Sequence, residues 1–190
     1  MSKPKRIAFT GGPSGGKTSL IEVVLRHFGA KVTAVPEAAT ILYSGGFPRK
    51  PGSPSMKHIQ RAIYYVVREL EDLSFTMDPE KIALCDRGTL DNMAYWPKGG
   101  KGFLESVEST MEKELARYDI VIHLSPPVNQ DIYRLSTTRI ESHTKALELD
   151  KRTQEVWKEH PKRFLLSDEP DFLIKVNKAI KILEKEIGKM

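Results

Sequence analysis

The chain has 190 residues, 39% of them hydrophobic and 29% charged, with a formal net charge of +5. That balance predicts a globular protein of one domain's length with a sizeable core, and Cys85 as the only cysteine excludes an intramolecular disulfide. No apolar run reaches the roughly 20 residues of a membrane-spanning helix, and the five histidines have no metal-ligand spacing.

The N-terminus is basic as far as Arg6, and too few apolar residues follow for a signal-peptide core, so a cytoplasmic protein without membrane insertion is expected. Ile7-Ala8-Phe9 reads as a short strand. It leads into Gly11-Gly12-Pro13-Ser14-Gly15-Gly16-Lys17-Thr18, with Ser19 next, which fits G-x-x-x-x-G-K-[ST]. A helix is predicted from Lys17 to about Phe28, stopped by Gly29. Strand, tight loop and helix is the order that phosphate binding requires. Glycines let successive N–H groups face one concavity, and the first helical turn adds unpaired N–H groups and partial positive charge. Lys17 supplies a point charge for the β- and γ-phosphates, and the Thr18 hydroxyl is a Mg²⁺ ligand. A glycine turn that merely capped a helix would need neither residue at that offset.

Lys31–Val35 reads as a second strand, and Pro36-Glu37 follows it. A carboxylate directly after a core strand sits at the sheet edge where ligands bind in open α/β folds. Glu37 is therefore a candidate base or substrate contact, or an acid at the start of the helix that Ala38–Leu42 suggests. Tyr43–Ser55 is rich in Gly, Pro and Ser, carries Arg49 and Lys50, and reads as a binding loop or a surface excursion. From His58 to about Phe75 apolar residues recur at spacings of three and four, as on an amphipathic helix, with Gln60, Arg61 and Arg68 near the expected pocket.

Lys81–Asp86 is an apolar run ending in an acid, as on a buried parallel strand that delivers a carboxylate to the edge where the phosphate loop lies. Beside such a loop, Asp86 binds Mg²⁺ directly or through water, or accepts a proton from the nucleophile. Arg87 has the forked geometry to hold a phosphate or stabilise transferring charge. Asp91, Tyr95 and Trp96 follow on a turn and short helix, as pocket walls or as core anchors. Pro97–Gly102 reads as a flexible basic loop, and a helix is expected from Leu104 to Arg117.

Ile120–Leu124 is a further strand, with His123 as a core histidine. The span of about 129–152 is charged and reads as a candidate lid, in which Arg134 or Arg139 would close over phosphates when substrate excludes water. Glu148–Glu159 reads as helical, Phe172–Val176 as the last strand, and Asn177–Ile187 as a closing helix.

Taken together, Gly11–Thr18, Val35-Pro36-Glu37-Ala38-Ala39 and Cys85–Tyr95 resemble the small phosphate-loop "AAA domain" family, which includes the kinase domain of ribosylnicotinamide kinases and related nucleoside-kinase-like proteins. The resemblance runs in element order over most of the chain. It implies a single domain over 1–190 with a three-layer α/β/α P-loop NTPase fold and a parallel sheet of about five strands, nucleotide-kinase-like. It also implies ATP with Mg²⁺ at Gly11–Ser19, the metal held by Thr18 and Asp86. An acceptor pocket would be bounded by Glu37, Asp86 and Arg87, with the loops 44–55 and 97–102 at its border.

On this reading the protein transfers a γ-phosphoryl group to a small hydroxyl acceptor, with Lys17, Glu37, Asp86 and Arg87 as catalytic candidates and Glu37 or Asp86 as the base. The alternative is a nucleotide-binding regulator or slow NTPase, since some members of the family are described as GTP-binding regulators. Asn177-Lys178-Ala179-Ile180 begins a guanine-reading N-K-x-D motif, but Ile180 cannot accept the guanine N–H groups, so ATP is preferred over GTP. A polynucleotide kinase ranks last, because a mildly basic surface is weak evidence for a nucleic-acid partner.

Overall fold

A computed structural model of the chain describes residues 5–50, 52–127, 142–166 and 171–188. Five strands, β1 (Arg6–Thr10), β2 (Val32–Val35), β3 (Ile82–Asp86), β4 (Ile120–Leu124) and β5 (Arg163–Leu166), form one sheet in the order β2-β3-β1-β4-β5. Every neighbouring pair is parallel. Every residue of β3 and β4 is buried. Strands covered on both faces need apolar side chains at consecutive positions, which is why these runs do not alternate with polar residues.

Alternation along the strands divides the core in two. Ile7, Phe9, Leu84 and Ile122 pack with Leu20 and Val24 of helix α1 (Lys17–Phe28) and with Val176, Ala179 and Leu183 of helix α8 (Phe172–Ile187). Ala8, Cys85 and Val121 face the other way, towards Leu90, Tyr118 and Trp157. The result is three layers, helix, sheet and helix. Full burial of a side chain such as Phe9 or Leu84 stabilises the fold by roughly 1.5–3 kcal/mol, so the central strands are held firmly. Among the described residues, no helix is long and apolar enough to cross a membrane.

Helix α2 (Ala38–Ser44) and the 25-residue helix α3 (Ser53–Met77) join through Ala38, Ile59, Ile63 and Val67. Helix α3 begins earlier than the periodicity suggests, since Pro54 occupies its first turn, where a missing N–H costs no intrahelical bond. The connection after α2 is therefore residues 45–52, shorter than the predicted Tyr43–Ser55. Helix α4 (Asp91–Tyr95) follows β3. The helix expected over 104–117 is two short ones, α5 (Phe103–Ser106) and α6 (Met111–Leu115), because Glu108 has a left-handed φ of 52° and the Thr110 hydroxyl caps a new start by accepting from Lys113 N. Helix α7 (His143–Val156) starts before the predicted Glu148.

The largest correction concerns the C-terminal third. Phe172–Val176 is not a strand but the first turns of α8, capped by the Asp171 carboxylate, which accepts from Leu173 N at 3.0 Å. The fifth strand is Arg163–Leu166 instead, paired with β4 from Val121↔Arg163 to Leu124↔Leu166.

Candidate active site

The strand order reverses beside β1, so the carboxyl ends of β1, β3 and β4 open a common crevice. The phosphate loop leaves β1 there. Gly11 has a φ of 125°, and a Cβ on it would lie 2.1 Å from the Leu124 carbonyl oxygen, so the loop folds down on the end of β4 only because that position is glycine. Gly16, at φ 88°, turns the chain into α1. Lys17 is buried at the start of that helix, and its Nζ donates to the carbonyls of Gly11 (3.1 Å) and Gly12 (2.8 Å). Burial, then the charge of Arg87, lowers its ammonium to about 8 against the pull of Asp86, Glu37 and Asp91.

Thr18 Oγ1 donates to Asp86 Oδ2 at 2.6 Å. The other carboxylate oxygen of Asp86 is buried and has no hydrogen-bond partner. Burial pushes the Asp86 carboxyl above its usual range, against the attraction of Lys17. The β1–β3 ladder runs one residue past β3, where Arg87 N donates to Phe9 O at 3.0 Å, and this fixes Arg87 beside the phosphate loop.

Arg87 takes a left-handed φ of 78°. Its Nε donates to Glu37 Oε1 at 2.7 Å, and its Nη1 donates to Gly11 O at 3.1 Å and Asp91 Oδ2 at 3.2 Å. The guanidinium carbon lies 5.4 Å from the centre of the Tyr95 ring. Burial opposes the Arg87 charge, but Tyr95, Glu37 and Asp91 more than offset it and raise its pKa well above the ordinary value. Glu37 shows the converse. Burial would raise its carboxyl, but the Arg87 charge and the Thr40 hydroxyl, which donates to Oε2 at 2.5 Å, hold it at about 2. Asp91 is anchored by Thr10 Oγ1 (2.5 Å) and Trp157 Nε1 (2.6 Å).

A cavity of about 830 Å³ opens from this cluster. Lys17, Thr18, Glu37, Asp86 and Arg87 line it, and Ile59, Ile63 and Val67 of α3 give it an apolar wall. Arg49 and Lys50 lie on its border, as the predicted loop requires, and so does Gln60. The Pro97–Gly102 loop does not line it, because Lys98–Gly100 folds into a short 3₁₀ turn against Met93. Arg61 and Arg68 turn away, towards His58 and the Tyr64 hydroxyl. Tyr95 is a cavity wall, whereas Trp96 is core, packed edge-on to Phe103 with Nε1 donating to Lys101 O. Arg134 and Arg139, and with them much of the 129–152 span, lie outside the described residues.

The structure thus brings Glu37, Asp86, Arg87 and the Gly11–Ser19 loop together. Sequence reasoning missed Thr40 and Asp150. Thr40 stands three residues after Glu37 on the same helical start, and that spacing is a usable signal. Asp150 has none, since it reaches Gly12 from 138 positions away.

A profile of the family described as AAA domain matches residues 6–171. Among solved structures, the fold is similar to NadR protein in complex with NAD and AMP-PNP, at 18% identity and a TM-score of 0.65, covering 97% of this chain and 50% of that one. It is similar to deoxyadenosine kinase from M. mycoides with bound dATP, at 14% identity and 0.67, covering 94% and 99%. It is also similar to thymidylate kinase from Candida albicans, at 12% identity and 0.69, covering 98% and 94%. The chain spans about half the length of the NadR chain it matches. At these identities the likeness is one of fold. No curated protein matches the sequence.

Proposed function

The chain belongs to the AAA domain family and has the fold of the P-loop kinases, and on that premise we propose that it is a kinase moving the γ-phosphoryl group of ATP to a hydroxyl of a small nucleoside- or nucleotide-like acceptor. One observation carries the reading. The phosphate loop, an acid–hydroxyl pair and an ion-paired Glu37–Arg87 couple all meet at one end of one cavity, whose remaining length is walled for a small molecule.

Each side chain has a task there. Lys17 exchanges its two loop carbonyls for phosphate oxygens, and its mobile point charge suits the β- and γ-phosphates. Thr18 and Asp86 fit a hard, oxygen-ligated dication: the hydroxyl touches one carboxylate oxygen, and the other, buried without a partner, lacks the charge compensation a cation gives. Bound Mg²⁺ would supply neutralisation of charge developing on the phosphate oxygens.

Glu37 suits the base role better than Asp86. Its side chain is 27% exposed at the cavity, whereas Asp86 is closed in by Thr18. Held ionised by Arg87, Glu37 accepts a hydrogen bond from the acceptor hydroxyl and orients that oxygen towards the γ-phosphorus. The new O–P bond forms as the bond to the β–γ bridging oxygen breaks, Glu37 takes the proton late, and ADP is the leaving group. Arg87, donating to Glu37, can swing Nη1 from the Gly11 carbonyl to the transferring group.

ATP is preferred over GTP in this reading. Asn177–Ile180 lies in the middle of α8 with Ala179 fully buried, so it is not placed to read a guanine edge. The test is ADP release from ATP across a panel of nucleosides, nucleotides and a single-stranded oligonucleotide, with Lys17→Ala as the control. Acceptor-dependent ADP release by the wild type alone supports transfer. Release on no member of the panel, with nucleotide bound, leaves a binding protein or slow NTPase.

A further inference from the structure

The peptide joining Gly11 to Gly12 is gripped from both sides. A trans peptide directs its C=O and N–H in opposite directions. The Gly11 carbonyl accepts from Lys17 Nζ at 3.1 Å and from Arg87 Nη1 at 3.1 Å. On the opposite side, Gly12 N donates to Asp150 Oδ1 at 2.7 Å. Asp150 is on α7, is 4% exposed, and is itself held in place. Its Oδ1 pairs with His123 Nε2 at 2.9 Å, and its Oδ2 accepts from Gln154 Nε2 at 2.8 Å, a side chain that also reaches Ser125. The packing is close as well, because a Cβ on Gly12 would lie 2.9 Å from both the Ala146 carbonyl and the Asp150 Cβ.

A peptide between two glycines is the part of this loop most free to rotate, since neither flanking residue has a Cβ to resist a flip. A flip would turn the carbonyl away from Lys17 and Arg87 and point an N–H at two cations. We propose that Asp150 is a positioning residue of the phosphate loop: its carboxylate fixes the Gly11–Gly12 peptide, and through it the resting places of Lys17 and Arg87. His123 and Gln154 are the supports that aim the carboxylate. Burial works against the charge of Asp150, but the bonds from His123, Gly12 and Gln154 hold its carboxyl below the usual range, so the acceptor is the charged form that bonds most strongly. The inference rests on nucleotide binding at Gly11–Thr18 and not on phosphoryl transfer.

The test uses the full chain, selectively ¹⁵N-labelled at glycine, with Asp150→Ala, Asp150→Asn and the helix control Thr153→Ala. Thr153 is buried on the same helix and its hydroxyl donates to Leu149 O, so its loss loosens α7 without touching Gly12. Asp150→Ala is expected to speed amide exchange at Gly12 and to raise the Kd for ATP tenfold or more. Asp150→Asn keeps an acceptor oxygen, so it moves the Gly12 amide proton upfield and raises Kd about threefold or less. Thr153→Ala lowers the melting temperature and leaves Gly12 and Kd unchanged. Kd for Asp150→Ala within twofold of the wild type, or a Gly12 resonance unmoved in Asp150→Asn, overturns the proposal. Should Asp150→Ala not fold, the Asn variant decides alone. A wild type that binds no ATP would refute nucleotide binding, and the Gly12 exchange and shift would then still decide whether Asp150 fixes the peptide.

Discussion

Replacing Glu37 by Gln separates the two jobs assigned to that carboxylate. In the folded protein its pKa is held at about 2, against 4.5 for an ordinary glutamate. A folded value below the unfolded one means that the ionised form stabilises the fold at pH above about 4.5, and that this contribution fades as pH falls and is gone below about 2. The difference of 2.5 units corresponds to roughly 3 kcal/mol at pH 7, and the linkage relation leaves roughly 1.4 kcal/mol at pH 3. Glu37→Gln should therefore unfold at lower urea than the wild type at neutral pH, with the gap shrinking to less than half at pH 3 if the ion pair to Arg87 is the cause. Arg87 keeps Asp91 and the Gly11 carbonyl, so the variant does not strand a buried cation and should still fold. In the kinase assay, the neutral amide cannot take the proton, and kcat should fall by about 10²–10⁴ with ATP affinity nearly unchanged. A stability gap that is the same at pH 7 and pH 3 would refute the Arg87-held carboxylate. An unchanged kcat would remove Glu37 from the chemistry.

Lys17, with its ammonium at about 8, should make ATP affinity fall as pH rises from 7.5 to 9.5, by nearly tenfold per unit above 8. Lys17→Met should bind weakly with no such slope, and calorimetry giving a flat wild-type profile would refute the assignment. Asp86→Asn should raise the Mg²⁺ concentration needed for half-maximal turnover about tenfold or more, because a charged ligand is lost. It should cost no stability, since burial already disfavours the Asp86 charge, and a fall in melting temperature of several degrees would count against that cause. Gly11→Ala should cost on the order of 3 kcal/mol and abolish ATP binding, as its Cβ would meet the backbone of Leu124 and not a flexible side chain, and a stable variant that binds ATP would contradict the loop geometry.

The elements legible in the sequence were those whose signal is local. Gly11–Thr18 is a contiguous motif, and the apolar runs ending at Asp86 and Leu124 read as strands covered on both faces, which they are. The C-terminal third failed for a definable reason. Phe172–Val176 is a short apolar run that suits either a buried strand or a helix, and what decides is the Asp171 cap together with Ala179 and Leu183 continuing the same face. Arg163–Leu166 was hidden because it is an edge strand with only Leu166 buried, so it lacks the apolar run of its neighbours. In the site, single residues at strand ends could be named from position. Their partners could not, because the contacts from Asp91 to Thr10 and from Asp150 to Gly12 span 81 and 138 positions.

Arg87 makes the strongest case that these contacts serve a reaction and not only the fold. A non-glycine residue at φ 78° costs of order 1 kcal/mol or more, and such strain persists only where surrounding structure over-determines it. Here the determinants are three acceptors from three parts of the chain: Glu37 after β2, Asp91 on α4 and the Gly11 carbonyl of the phosphate loop. A purely structural arginine would reach the same carboxylates from a relaxed backbone with less cost, by a longer rotamer or a shifted register. The left-handed turn instead keeps the guanidinium between the loop and Glu37, on the wall of the cavity. In the proposed reaction, that is the line a phosphoryl group would travel between a nucleotide on the loop and a hydroxyl held by Glu37. Two of its three acceptors are groups the proposed reaction would disturb, so in that reaction the resting contacts would hold the cation ready and be exchanged for phosphate oxygens when substrate arrives.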